Sequence, residues 1–240
     1  MPALSQFVDE GELPHGDLLI ARHGKVCYRE RFGYFDVEAK TPLPDDALFR
    51  VYSMTKPLTG VCLMSLYEEG RFQLTEPLSK YIPAFADMKV YAGGLRKNAA
   101  GEFEWDEVEA ESEITIQQIL NHTGGLSYGF DAPGMVNGVD RLYHEHPEGP
   151  GTQGNRPTGP DLSLEEYVDR LAAMPLVCQP GSEWNYSLGV DVQGRLIEVL
   201  TGQSFGEAMA ERLFRPLGMD DTFFSVRECG SSPVPLFSCC

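Results

Sequence analysis

Positive charge is scarce in this chain: 19 lysines and arginines stand against 36 aspartates and glutamates, a formal net charge of −17. Phosphate backbones and anionic bilayers are bound mainly through Lys and Arg that displace counterions, so this balance argues against a nucleic-acid or membrane-surface partner. Long apolar runs are missing too, and none approaches the roughly 20 residues that span a bilayer. The opening stretch MPALSQFVDEGELPHGDLL lacks the basic segment, apolar core and small-residue cleavage site of a secretory signal, so the chain reads as soluble and cytoplasmic. Six cysteines, Cys27, Cys62, Cys178, Cys229, Cys239 and Cys240, show neither a C-x-x-C pair nor regular spacing, which argues against a disulfide or zinc framework. His144 and His146 stand at i, i+2 in a proline-rich stretch and share no helical face, so they do not suggest a metal.

What is present points to one α+β domain. Its 240 residues suffice for a substantial core. Apolar and polar residues alternate on either side of His23-Gly24, which predicts a two-stranded hairpin over about 17–35. From Met54 to Tyr67 the residues Met54, Leu58, Val61, Cys62 and Leu66 recur at helical spacing, Leu63 and Met64 widen the stripe, and Gly70 can cap the end. That helix is expected to be buried nearly all round. The polar stretch at 96–113 reads as a surface excursion. Capping boxes at Thr115/Gln118, Ser163/Glu166 and Ser204/Glu207 each open a helix. Leu188, Val192, Leu196 and Val199 stripe another that ends at Gly202, and DDTFFSV reads as a possible strand. Residues 131–160, rich in glycine and proline, read as a long functional loop.

Two serine motifs compete for a catalytic role. Ser53 and Lys56 lie at i and i+3, so on a helix their functional ends can meet. A serine hydroxyl is a weak nucleophile until a base takes its proton, and a lysine does so only if desolvation lowers its pKa. Pro57 is tolerable only in the first turn of the helix, which keeps Ser53 at the helix mouth, near free backbone N–H groups and the positive end of the dipole. Ser127 lies in GLSYG, a G-x-S-x-G pattern. That elbow needs a strand before it and a helix after it, whereas here a helical TIQQIL precedes and a Gly/Pro-rich stretch follows. His122 reads as a turn anchor. Tyr186 follows a Pro180-Gly181 turn and precedes a helix.

Three ordered blocks, FRVYSMTKPLTGVCLMSLYEEGRFQLTEPLSKYIPAF, ITIQQILNHTGGLSYG and PGSEWNYSLGVDVQGRLIEVLTGQSFGEAMAERLFRPLGMDDTFF, resemble the serine β-lactamase and penicillin-binding-protein superfamily. The likeness is to its class C-like branch, with the esterases and D-amino-acid-releasing hydrolases. It implies a β-lactamase/transpeptidase-like fold, with sheet strands at the N-terminus and a helical region over about 53–218. By position it implies Ser53 as acyl-forming nucleophile, Lys56 as its proton acceptor and Tyr186 as the base that relays protons to the leaving group. It implies a small-molecule ester or amide as substrate, and no metal or organic cofactor.

The class C enzymes carry Tyr-x-Asn where this chain has Tyr186, Ser187 and Leu188, which is closer to the esterases. The Lys/His-Thr/Ser-Gly triplet expected on a strand after the tyrosine is not found, and HTG at 122–124 precedes Tyr186. The ending VRECGSSPVPLFSCC breaks in composition from the helices before it, with an atypical tail at 229–240. The expectation is therefore a truncated chain without the C-terminal sheet strands, whose N-terminal hairpin keeps an open edge and a partly uncovered apolar face. The leading reading is hydrolysis of esters, with amides or β-lactams also open, through an acyl-Ser53 intermediate. The alternatives are a catalytically inactive truncated or scaffold protein and an acyltransferase of the same family.

Overall fold

In the computed structural model, which describes residues 2–130, 137–151 and 162–225, residues up to Tyr52 form one unit and Ser53–Phe224 another. The first opens with helix α1 (Pro2–Asp9), followed by strands β1 (His15–Arg22) and β2 (Lys25–Asp36) and the short β3 (Thr41–Pro42), in the order β1-β2-β3. His23 and Gly24 turn the β1–β2 hairpin with φ of 49° and 71°, the two left-handed residues that match the twist of antiparallel strands. Arg29 on β2 reaches Asp17 on β1 at 2.7 Å. Leu19, Ile20 and Val26 remain exposed.

The second unit is built around helix α6 (Gly189–Thr201). Its stripe Val192, Leu196, Ile197 and Leu200 is buried, and Gly202 closes it in the left-handed conformation, φ 72°, where a side chain would be strained. Helices α2 (Thr55–Glu68), α3 (Ile116–Leu120), α5 (Leu164–Ala172) and α7 (Phe205–Met209) pack around α6. The capping boxes at Thr115/Gln118, Ser163/Glu166 and Ser204/Glu207 are all formed. Each satisfies two helix-end N–H groups reciprocally, and together they fix where α3, α5 and α7 begin.

Several expectations fail for identifiable reasons. The polar stretch at 96–113 does lie at the surface, but most of it belongs to an unforeseen antiparallel hairpin, β4 (Lys89–Lys97) and β5 (Phe103–Glu109). Irregularities around Gly93 break its alternation, and Phe103 and Trp105 alternate with exposed Glu104 and Asp106, which face Arg96 at 3.2 Å each. Of the long loop, residues 137–151 contain helix α4 (Gly138–Glu145), opened by a fourth capping box, Asn137/Asp140; the remainder, 131–136 and 152–160, lies outside the described residues. Helix α2 is buried on one side only, through Thr59, Cys62, Leu63 and Leu66. Met54 and Val61 are 70% and 55% exposed, because α2 packs against α6 and the 210–214 segment along a single face.

The helix opened by Ser204 changes to π-helical geometry at Ala210–Phe214, just before Pro216, which cannot donate an N–H and crowds the carbonyl four residues back. No strand forms at Asp220–Ser225. The Thr222 N–H donates back to the Met219 carbonyl at 3.2 Å and the Phe224 ring packs on Phe205, so this segment curls onto α7. The tail at 229–240 lies outside the described residues.

Candidate active site

Ser53 lies in a 3-10 turn, Tyr52–Met54, that leads into α2. Tyr52, immediately before it, has φ 42°, a left-handed backbone that costs a non-glycine residue about 1 kcal/mol or more. The helix begins at Thr55, so Pro57 falls in the first turn, where its missing N–H leaves no hydrogen bond unmade. Lys56 consequently points back over the preceding turn, and its Nζ donates to Ser53 Oγ at 3.3 Å. Tyr186 arrives from the turn ahead of α6 and places its Oη 2.9 Å from the same Oγ. Among the described residues no side chain caps the start of α2.

The three groups alter one another. The Lys56 ammonium lies 4.8 Å from the Tyr186 ring centroid and 5.5 Å from that of Tyr128. Burial pushes the Tyr186 phenol up, but hydrogen bonds from Lys56 and Ser53, together with the Lys56 charge, outweigh it and leave the phenol below its ordinary value. At a given pH it is therefore more ionised than a free tyrosine.

An aromatic surface surrounds this oxygen cluster. Rings of Tyr128, His122, Phe130 and Trp184 lie with centroids 5.0, 5.1, 6.3 and 6.4 Å from that of Tyr186. Trp184 is 65% exposed. Sequence reasoning passed over Tyr128, Phe130 and Trp184; their signal was adjacency, Tyr128 beside Ser127 and Trp184 two residues before Tyr186. His122 does anchor a turn, since its carbonyl accepts from the Asn185 N–H at 2.9 Å. Burial and then the Lys56 charge push its imidazole below the usual histidine range. Behind it Gly125, φ 83°, lets the chain pass so close to the Cys178 carbonyl that a Cβ would stand 2.5 Å from that oxygen.

Ser127 is placed quite differently. It is 5% exposed, and its hydroxyl donates to Asp140 Oδ1 at 2.5 Å. The fully buried Asp140 also accepts from the Gly129 N–H at 2.9 Å and the Asn137 N–H at 3.0 Å. Leu188, where the class C pattern has asparagine, is buried, and its N–H donates to the Ser127 carbonyl at 3.0 Å. The G-x-S-x-G match is thus a polar knot within the core. His144 Nε2 lies 2.9 Å from the Gly129 carbonyl, while the His146 ring meets Phe103 and Trp105. Among the described residues no group of three or more His, Cys, Asp or Glu could hold a metal ion.

A family model described as Beta-lactamase matches residues 3–234. The chain belongs to the Beta-lactamase family. Esterase EstB of Burkholderia gladioli is 32% identical over 238 residues, covering 96% of this chain and 52% of its own. Acyltransferase mokF of Monascus pilosus is 29% identical over 232 residues, covering 94% and 51%. Among solved structures, EstCE1, described as a hydrolase with promiscuous acyltransferase activity, superposes with a TM-score of 0.69 at 30% identity, covering 90% of this chain and 50% of that one. The chain spans about half the length of the curated relatives it matches. Its fold is the α+β, β-lactamase/transpeptidase-like fold of this family. No helix among the described residues is long and apolar enough to cross a membrane.

Proposed function

We propose that this Beta-lactamase family chain carries the acylation site of a serine hydrolase that cleaves carboxylic esters. The observation that supports it is the convergence on Ser53 Oγ of Tyr186 Oη at 2.9 Å and Lys56 Nζ at 3.3 Å. Ser53 Oγ attacks the ester carbonyl carbon while its proton passes to the ionised Tyr186 oxygen, which the Lys56 ammonium favours. The tetrahedral oxyanion forms near the head of α2, where the positive end of the helix dipole favours negative charge. As the C–O bond breaks, Tyr186 returns the proton to the leaving alkoxide, and water then hydrolyses the acyl-Ser53 ester by the reverse use of the same pair. The exposed Trp184 indole and the neighbouring rings suit an apolar or aryl acyl group.

Hydrolysis of p-nitrophenyl butyrate by the protein, lost in Ser53→Ala and in Lys56→Ala, with fluorophosphonate labelling confined to the Ser53 peptide, is the expected result. Labelling of a different serine, or none, overturns the reading and favours a non-catalytic scaffold. Acyl transfer is the second reading, because the similar chains include a named acyltransferase and a hydrolase with acyltransferase activity. Partition of the acyl group between water and added butanol, read as the ratio of acid to butyl ester, separates the two.

A further inference from the structure

The segment that carries Tyr186 has neither helix nor strand between Glu183 and Leu188. The position of the phenol therefore depends on how its two flanking residues are held. A single residue on a separate segment holds both. Before the tyrosine, Asn185 donates its N–H to the His122 carbonyl at 2.9 Å. After it, Ser187 donates its N–H to His122 Nδ1 at 3.2 Å, and the Ser187 hydroxyl lies 2.9 Å from the same nitrogen. Between these anchors the imidazole lies against the Tyr186 ring, 5.1 Å between centroids and tilted by 34°. His122 achieves this with φ 61°, a strained conformation for a residue with a side chain.

We propose that His122 is a positioning residue that clamps Tyr186 from both sides through its carbonyl and an unprotonated Nδ1, and so sets the reach of the phenol oxygen to Ser53. The inference rests on the proposed reaction for the role of Tyr186, but the clamp itself is geometric. A backbone N–H can only donate, so Nδ1 must accept and the ring carries its proton on Nε2. The Ser187 hydroxyl then donates to Nδ1 while its oxygen accepts from the Gly189 N–H at 3.3 Å, which ties the clamp to the first residue of α6. Protonation of Nδ1 would set one N–H against another and open it. The groups that face the imidazole oppose that protonation: Lys56 on α2 repels a second positive charge, and the Tyr186 and Trp184 rings from the turn before α6 cover it.

The test uses three variants of the full chain. Asn at 122 offers an amide oxygen near the place of Nδ1, Phe keeps a ring but no acceptor, and Ala keeps neither. Tyrosines carrying 13C at Cζ, with the Tyr186 signal assigned by Tyr186→Phe, report the phenol titration without any catalytic turnover; labelling of Ser53 by a fluorophosphonate across pH reports the nucleophile. In His122→Phe and His122→Ala the Tyr186 titration should move toward that of free tyrosine and labelling should slow by roughly 10- to 100-fold, as for a misplaced reacting group. His122→Asn should keep both within about fivefold of the parent, one residual hydrogen bond being worth most of the effect. An unchanged titration in His122→Ala, or equal impairment of the Asn and Phe variants, overturns the clamp. If the parent chain does not label, the hydrolase reading fails while the Tyr186 titration still decides the clamp.

Discussion

Ser53 and Ser127 both sit in short motifs associated with nucleophiles, and the protein surrounds them in opposite ways. Around Ser53 the partners are a lysine ammonium, which can only donate, and a phenol that takes a proton once ionised, and the serine is open to solvent. Around Ser127 the partner is a buried carboxyl that holds the hydroxyl as one of three donors, with no room for a substrate. The comparison teaches that a motif proposes a nucleophile, whereas exposure and the proton affinity of its neighbours decide whether one exists.

The largest expected effect sets the two serines against each other in one assay. Ser53→Ala should reduce ester hydrolysis by about 10³-fold or more, the scale seen when a nucleophile is removed, whereas Ser127→Ala should keep kcat within about threefold. Parity between them would erase the distinction. Next, Asp140→Ala should lower stability by about 3 kcal/mol or more in urea titrations, because it leaves the Ser127 hydroxyl and two backbone N–H groups buried without their acceptor. Trp184→Ala should lower kcat/KM for a p-nitrophenyl benzoate by roughly three- to tenfold more than for the acetate, since only the aryl group loses a stacking surface.

The smallest effect concerns a carboxylate held unlike Asp140. Glu76 accepts from Lys80, from the Tyr81 hydroxyl and from the Gln73 N–H, which together hold its carboxyl down at about 2. Because its folded value lies below the unfolded one, its contribution to stability is present above the ordinary glutamate range and is lost as pH falls toward about 2. The difference in melting temperature between the parent and Glu76→Gln should therefore shrink on acidification from pH 6 to pH 2.5. A difference that widens would reverse the assignment.

Much of this was legible in the sequence where a local rule governs. The S-x-x-K spacing, the three capping boxes and the α6 stripe each depend on neighbours within a turn, so 3.6-residue periodicity and side-chain chemistry suffice. The β4–β5 hairpin escaped because glycines at 93 and 94 interrupt the alternation that marks a strand. Helix α4 was obscured by its setting among prolines and glycines, although its Asn137/Asp140 pair obeys the same capping logic as the other boxes. The stripe on α2 named the apolar residues correctly but not which would be covered, because Val61 and Met54 differ from Cys62 and Leu66 only in what packs against them. The approach of Tyr186 to Ser53 is a long-range contact that only the ordered family blocks anticipated, and the main-chain half of the His122 clamp, its carbonyl bond to Asn185, leaves no trace in side-chain identity.

Asp140 has a consequence in time as well as in space. Tyr128, whose ring meets both Tyr186 and the Lys56 ammonium, is flanked by Ser127 and Gly129, and both neighbours are fastened to that one carboxyl. The amide hydrogens of Gly129 and Asn137 can exchange with deuterium only when the carboxyl lets go. A stretch without regular secondary structure thereby keeps a slow clock, and its rate measures how often the wall beside Ser53 comes loose.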